Sequence, residues 1–155
     1  MYHFGNSVAI SVNSVLIGEY FKTVGGLGLS NNTGSAYLFD ISGNLLQTID
    51  NPEPDNFDAF GESVAIDGDS LLIRSDGNHG DASRADLFDS NGNLLQSIDN
   101  PIPISSDDTF GYSVALKDNN FVIGKIVGSA YLYTSSTPVP GPLPLLGIGT
   151  DFCLS

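Results

Sequence analysis

The chain is poor in basic residues and in cysteine, and each scarcity excludes a class of protein. Only 5 of its 155 residues are Lys or Arg against 18 Asp or Glu, which gives a formal net charge of −13. Binding to a phosphate backbone needs clustered Lys and Arg, so no nucleic-acid partner is expected, and docking on anionic lipid is disfavoured for the same reason. Cys153 is the single cysteine, so no intramolecular disulfide framework exists.

Long apolar runs and helical periodicity are also missing. No run approaches the roughly 20 apolar residues of a membrane-spanning helix, so no stable membrane span is expected. Met1-Tyr2-His3 leads directly into the first recurring motif, without the basic region and apolar stretch of a signal peptide. The absence of a 3.6-residue period, together with 18 glycines and 8 prolines, indicates a turn-rich all-β chain.

The common reactive motifs do not occur. His3 and His79 are the only histidines and stand far apart, so the sequence offers no ligand cluster for a metal-dependent hydrolase. It contains neither a G-x-S-x-G nucleophile elbow nor a phosphate-cradling G-x-x-x-x-G-K-[ST] loop. We therefore expect no enzyme, although the acidic residues leave a glycosidase-type carboxylate pair open as an alternative.

What the chain does contain is a set of repeated segments. Phe-Gly-x-Ser-Val-Ala-[Ile/Leu] begins at Phe4, Phe60 and Phe110. Gly-Ser-Ala-Tyr-Leu-Phe-Asp at 34–40 returns with changes at 83–89 and 128–133, while Gly-Asn-Leu-Leu-Gln-Thr-Ile-Asp-Asn-Pro at 43–52 returns only at 92–101. A period of about 50 residues indicates a repeat architecture.

Each repeat is predicted to form four short strands. In the second copy, residues 63–66 and 70–73 flank the turn signal Asp67-Gly68-Asp69. Residues 85–88 and 94–98 flank an Asn-Gly turn in the same way, and Pro101 ends the last strand because proline cannot donate to a ladder. The pattern predicts an all-β fold of antiparallel hairpins.

These motifs resemble the FG-GAP repeat, the blade unit of integrin-alpha-like β-propellers. The resemblance covers residues 1–133 in three imperfect copies, about 4–52, 60–101 and 110–133, and implies an incomplete propeller of about three four-stranded blades. Propellers have 4–8 blades, so the chain looks like the C-terminal piece of a larger one. Its open blade edges are expected to permit self-association.

The middle copy departs most from the pattern. Arg74 stands where the other copies have Gly18 and Gly124, and Asp86 stands where they have tyrosine. The acidic residues before the second and third Phe-Gly pairs, such as Asp55 and Asp58, recur because the units recur. They are therefore interpreted as turn-forming or loop-solubilising residues.

Residues 134–155 differ in composition and are expected to be a disordered, Pro-rich tail. The run 137–147 resembles the start of a PEP-CTERM sorting signal, which is found on exported bacterial proteins. Gly141 replaces the glutamate of that signal, and no Lys or Arg follows the short apolar stretch 143–148. The resemblance implies an extracellular or cell-surface location with a truncated signal, and a plain Pro-rich tail is the alternative.

A calcium site is the single metal candidate. The family resemblance implies cations in acidic blade loops, and the loop at 76–81 offers oxygen ligands at Asp76, Asn78 and Asp81. Gly80 fills one ligand position and no bidentate Glu follows, so a solvated turn is the alternative. No other cofactor is expected.

The family resemblance also carries the functional hypothesis. It implies a non-catalytic binding or adhesion module on an exported bacterial surface protein, with a protein or glycan ligand. The alternatives are a truncated remnant of a larger propeller without independent function, a calcium-binding propeller, and an enzyme.

Overall fold

The computed structural model describes residues 3–22, 33–55, 57–76, 83–101, 109–126 and 128–135. Over these ranges the chain forms eleven strands in three antiparallel sheets, which confirms the predicted all-β class. None of these residues belongs to a helix long and apolar enough to cross a membrane.

Each sheet follows chain order, so consecutive strands are hydrogen-bonded neighbours. The first sheet contains β1 (Ser7–Ile10), β2 (Ser14–Glu19), β3 (Ser35–Asp40) and β4 (Leu45–Asp50). The second contains β5 (Val64–Asp67), β6 (Ser70–Ser75), β7 (Arg84–Asp89) and β8 (Leu94–Asp99). The third contains β9 (Ser113–Lys117), β10 (Asn120–Gly124) and β11 (Ala130–Thr134).

The last strand extends one residue into the segment that the sequence assigned to the tail. Thr134 pairs with Asn120, and the backbone N–H of Ser135 donates to the carbonyl of Asn119 at 2.7 Å. The remainder of the predicted tail, 136–155, lies outside the described residues.

The outer hairpins of the first two sheets repeat one turn. Asp40 Oδ1 accepts from the backbone N–H of Asn44 at 2.9 Å, and Asp89 Oδ1 accepts from that of Asn93 at 2.8 Å. The glycine before each Asn adopts a positive φ, which a residue with a Cβ rarely does. The identical chemistry explains why both hairpins carry a register shift at the same place, after Leu38 and after Leu87.

The three sheets stack face to face, with the second sheet in the middle. Strand β5 contacts both β1 and β9, so the first strands of the sheets lie side by side. One apolar cluster joins the first and second sheets, and its buried members are Leu16, Ala36, Leu38, Ile49, Phe60, Val64, Ile66, Leu71, Ile73 and Phe88. A second joins the second and third sheets through Ala65, Leu72, Ala85, Leu87, Ile98, Phe110, Phe121, Ile123 and Tyr131. Consecutive residues of β6 therefore face opposite neighbours, and both faces of the middle sheet are covered.

The phenylalanines of the second and third Phe-Gly pairs fill the boundary with the preceding sheet. Phe60 and Phe110 are completely buried, one in each apolar cluster, whereas Phe4 is 52% exposed. The backbone N–H of Phe60 donates to the carbonyl of Thr33 at 3.2 Å, which ties the start of the second unit to the first sheet. The burial of Phe60 that the repeat predicts is confirmed.

The two boundaries differ at the glycine that follows. Between the first and second sheets, a Cβ on Gly18 would overlap the carbonyl oxygen of Gly61, so only glycine permits this backbone approach. Between the second and third sheets, Arg74 takes the place of Gly18, and a Cβ on Gly111 would lie 2.8 Å from Cγ of Arg74. The arginine side chain thus occupies the space that backbone fills at the first boundary.

Candidate functional site

A groove of about 390 Å³ opens between the second and third sheets, at the end where their hairpin turns lie. Its apolar lining comes from buried and half-buried side chains of β7 to β10, namely Leu87, Leu95, Leu116 and Phe121. Its polar lining comes mainly from the turns, with the carboxylates Asp67, Asp69, Asp89 and Asp118 and the amides Asn91 and Asn119. The result is a concave apolar surface with an acidic rim.

Three separate turns place the carboxylates at this edge. Asp67 and Asp69 flank Gly68 in the β5–β6 turn, Asp89 begins the β7–β8 turn, and Asp118 occupies the β9–β10 turn with a positive φ of 53°. Asp tolerates such left-handed backbone and is a frequent turn residue for that reason. Stacking the second sheet on the third then brings these turns together, although they are distant in sequence.

Part of the acidic charge is held by bonds within the protein. The backbone N–H of Asp118 donates to Asp67 Oδ2 at 2.6 Å, and Lys117 Nζ lies 3.0 Å from Asp67 Oδ1. These two contacts, the backbone bond first, lower the pKa of Asp67. The hydrogen bond to Asp67 in turn raises the pKa of Lys117, whose side chain is 75% exposed. Asp67 is therefore fixed as an anion at neutral pH.

Asp69 and Asp89 are held by hydrogen bonds within the second sheet. Burial raises the pKa of Asp89, but hydrogen bonds from Asn93 and Asn91 outweigh it and the net pKa is lowered. Ser90 Oγ donates to Asp69 at 3.2 Å. Lys117 offsets part of the charge of Asp67 and Asp118, but four carboxylates share the rim, so it remains a region of net negative charge above an apolar floor. Such a surface suits a ligand that joins an apolar stem to a positive charge.

Asp76, one of the three predicted calcium ligands, lies elsewhere, directly after the far end of β6. Asp76 Oδ1 accepts hydrogen bonds from Arg74 Nη2 at 2.9 Å and from Ser83 Oγ at 2.8 Å. Asn78 and Asp81, the other two predicted ligands, lie outside the described residues. Over the described ranges, no three His, Cys, Asp or Glu side chains come together in a way that could hold a metal ion.

Calcium is expected to change the thermal stability of the chain little, because Asp76 is already engaged by an arginine. A ligand at a hundredfold excess over its Kd raises the free energy of unfolding by about 2.7 kcal/mol, which shifts a melting curve by several degrees. Thermal melts in millimolar calcium and magnesium measure this. A rise of several degrees that is specific to calcium and is abolished by Asp81→Asn would contradict the expectation.

A polar cluster lies between the first and second sheets, at the substituted position Asp86. This residue is fully buried, and its Oδ2 accepts from Arg84 Nε at 3.2 Å and from Ser75 Oγ at 3.4 Å. No described residue donates a hydrogen bond to its Oδ1. Burial raises the pKa of Asp86, although the nearby charge of Arg84 opposes the rise.

Asp58, before the second Phe-Gly pair, is buried in a similar way. Its Oδ2 accepts from Asn51 Nδ2 at 2.8 Å and from the backbone N–H of Asp55 at 2.5 Å, so it shapes the loop rather than solubilising it. Burial raises the pKa of this carboxyl as well. Of the two interpretations that the sequence left open for Asp58, turn formation is the one that the structure supports.

Replacing Asp86 by asparagine is expected to flatten the pH dependence of stability. A carboxyl whose pKa is higher in the folded than in the unfolded state binds more protons when folded, so its contribution favours folding at acidic pH. That contribution is lost progressively as the pH rises above the unfolded value of about 4 and through the folded pKa. Urea unfolding at several pH values between mildly acidic and neutral tests this.

The variant should gain stability relative to the parent chain as the pH rises. Asp99→Asn, at an exposed position of β8, serves as the control because it removes the same charge without the burial. A constant difference between Asp86→Asn and the parent across the pH range would contradict the assignment.

The comparison with protein families agrees with the repeat but covers only part of the chain. The FG-GAP repeat family matches residues 2–39, which contain the first three strands except for the end of β3. This match supports a β-propeller-type repeat module, although three open sheets do not make a closed propeller. No curated protein matches the chain.

Two solved structures are similar in shape. The computationally designed Ika8 protein matches with a TM-score of 0.47 at 15% identity over 94% of this chain, which spans 46% of the Ika8 chain. The computationally designed Ika4 protein matches with a TM-score of 0.37 at 16% identity over 84% of this chain and 90% of its own.

Proposed function

We propose that the chain is a non-catalytic, propeller-type binding module that holds a cationic, partly apolar ligand in the groove between its second and third sheets. The observation that carries the proposal is the coincidence of an apolar floor and four rim carboxylates in one concavity. The resemblance of the tail to an exported-protein signal supports a place at the bacterial cell surface. There, adhesion to a protein carrying exposed lysine or arginine side chains would use this groove.

The physical case rests on two complementary contributions. Leu87 and Phe121 give the ligand's alkyl stem a surface that excludes water, and each buried methylene contributes about 0.8 kcal/mol. Asp69 then receives the charged end together with Asp118, whose 3.5 Å contact with the exposed Lys117 the ligand would displace. The net charge of −13 adds a long-range attraction that steers cations toward the protein and weakens as salt is added.

A peptide titration tests the proposal. The probe is a short peptide of alternating leucine and lysine, and the control is the same peptide with glutamate in place of lysine. Chemical-shift changes in a ¹⁵N-labelled sample should cluster at the β5–β6, β7–β8 and β9–β10 turns with the lysine peptide only. Binding should weaken as salt is raised.

Matched charge variants separate the groove from general acidity. Asp69→Asn with Asp118→Asn removes two rim charges, whereas Asp55→Asn with Asp99→Asn removes two charges outside the groove lining. Two exposed ion pairs are together worth about 0.4–2 kcal/mol, so the groove variant should bind about two- to thirtyfold more weakly. Equal affinity of the two double variants, or equal binding of the glutamate peptide, would contradict the proposal.

A further inference from the structure

The two outer faces of the stack are apolar and uncovered. The first sheet exposes Phe4, Val8 and Ile10, of which Ile10 is 74% exposed. The third sheet exposes Val122 and Leu132 on the face turned away from the second sheet, at 38% and 42%. Isolated apolar residues on a surface are ordinary, but two sheet faces with aligned apolar rows are interaction surfaces.

The exposed face of the first sheet is a repeat of a face that is buried elsewhere. Val8 and Ile10 correspond in the repeat to Val64 and Ile66, which are 6% and 7% exposed because they pack against the first sheet. Phe4 corresponds in the same way to the completely buried Phe60. The outer face of the first sheet, the docking face, therefore carries the residue positions by which the second sheet packs onto the first.

The exposed face of the third sheet is the other half of that interface. Val122 and Leu132 occupy the repeat positions of Leu16 and Leu38, which are 0% and 1% exposed and receive the second sheet. The outer face of the third sheet, the receiving face, thus carries the residue positions on which the second sheet packs in the first sheet.

The glycines that allow close backbone contact at the first boundary are also present on both outer faces. At the first boundary, Gly18 lies directly against Gly61, an approach that a Cβ would block. Their counterparts on the outer faces, Gly124 and Gly5, are both glycine, and Gly5 has the same positive φ, 84° against 90°. The arginine that breaks this pattern, Arg74, lies at the internal boundary and not at either outer face.

A hydrogen bond of the internal boundary could be repeated as well. Ser7 Oγ accepts from the backbone N–H of Val64 at 3.0 Å across the first boundary. Ser113 stands at the position of Ser7 in the third sheet and is exposed, so its hydroxyl is placed to accept from Val8 of a docked sheet.

We propose that the third sheet of one copy binds the first sheet of a second copy, head to tail, and that two copies close a ring of six sheets. An interface between unlike faces makes a ring when its rotation closes, and six lies within the 4–8 sheets of known propellers. At the two internal boundaries, Ser11 and Asp67 each accept a hydrogen bond from the backbone of the next sheet. Lys117 stands at the same repeat position in the third sheet and cannot accept one. The intermolecular boundary is therefore weaker than the internal ones, and the assembly depends on concentration.

The experiment is light scattering on the size-separated full chain from micromolar to submillimolar concentration. The mass should rise from that of one chain to that of two and stop there. Salt should favour the dimer because it screens repulsion between two chains that each carry a charge of −13. A mass that stays at one chain throughout, or that grows beyond two, would overturn the closed two-copy ring.

Two surface variants identify the faces. Ile10→Asp alters the docking face and Leu132→Asp alters the receiving face, so each alone should be monomeric at every concentration. Ile41→Asp, at a 64% exposed position in a hairpin turn, is the control and should dimerise like the parent. Circular dichroism of each variant verifies that it is folded.

Mixing the two variants distinguishes head-to-tail binding from binding between like faces. In an equimolar mixture, the unaltered third sheet of Ile10→Asp can bind the unaltered first sheet of Leu132→Asp. One boundary of the ring is then intact, so a mixed dimer should form. A dimer in which each face binds its own kind would not be restored by mixing, and that result would overturn the head-to-tail arrangement.

Discussion

Replacing Phe60 by alanine is expected to lower the free energy of unfolding by about 3–5 kcal/mol, the range for large aromatic side chains in well-packed cores. Phe60 is fully buried in the cluster that joins the first and second sheets, and its ring meets Phe88 edge-on at 5.9 Å. Its backbone is hydrogen-bonded to Thr33, so the surrounding chain cannot easily collapse into the cavity. Urea unfolding at a concentration where the chain is monomeric measures the loss.

Phe4→Ala is the matched control, because it changes the same residue of the same motif at a position that no described sheet covers. Phe4 is 52% exposed, and the change should cost less than about 1 kcal/mol in the monomer. Equal losses for the two variants would show that the phenylalanine acts within its own repeat and not across the boundary.

Replacing Arg74 by alanine is expected to lower the free energy of unfolding by about 2–5 kcal/mol, the range for truncating a large buried side chain, because it leaves a cavity and an unpaired carbonyl. Arg74 is 1% exposed, its Nε donates to the carbonyl of Phe110 at 3.1 Å, and it pairs with Glu62 and Asp76. Burial lowers its pKa, but an arginine stays protonated in a protein, so the charge is present and needs these partners. Its loss would also leave a cavity against Gly111.

Lys117→Ala is the control for this second variant. Lys117 also contacts two carboxylates, those of Asp67 and Asp118, but its side chain is 75% exposed. Exposed pairs contribute about 0–1 kcal/mol, so the unfolding midpoint should hardly move. If Arg74→Ala cost no more than Lys117→Ala, the guanidinium would not be what joins the second sheet to the third.

The sequence predicts those features that follow from local pattern or from recurrence. The Asn-Gly turn at 91–92 and the four strands of the second unit follow from local pattern, the burial of Phe60 follows from recurrence, and the structure confirms them. Recurrence also flagged Arg74 and Asp86 as departures, but it could not say what they contact. Partners such as Phe110 for Arg74 and Ser75 for Asp86 are set by how one sheet stacks on another and by how neighbouring strands pair.

The sequence does not predict the groove, because the groove also depends on how the sheets stack. Within its own hairpin, the segment Asp67-Gly68-Asp69 is fully explained as a turn between two strands. The contribution of Asp118 and Phe121 to the same concavity requires the third sheet to be placed beside the second. The available signal was that acidic residues recur at corresponding turns of successive units, which aligns them at one edge once the units stack.

Amide hydrogen exchange on monomeric Ile10→Asp tests the central claim most directly, namely that the second sheet is the core of a three-sheet stack. Strands β6 and β7 are buried along almost their entire length, whereas β1 and β9 alternate with exposed positions. We expect the slowest exchange in β6 and β7 and much faster exchange in β1 and β11. Protection of β9 to β11 equal to that of β6 and β7 would contradict it.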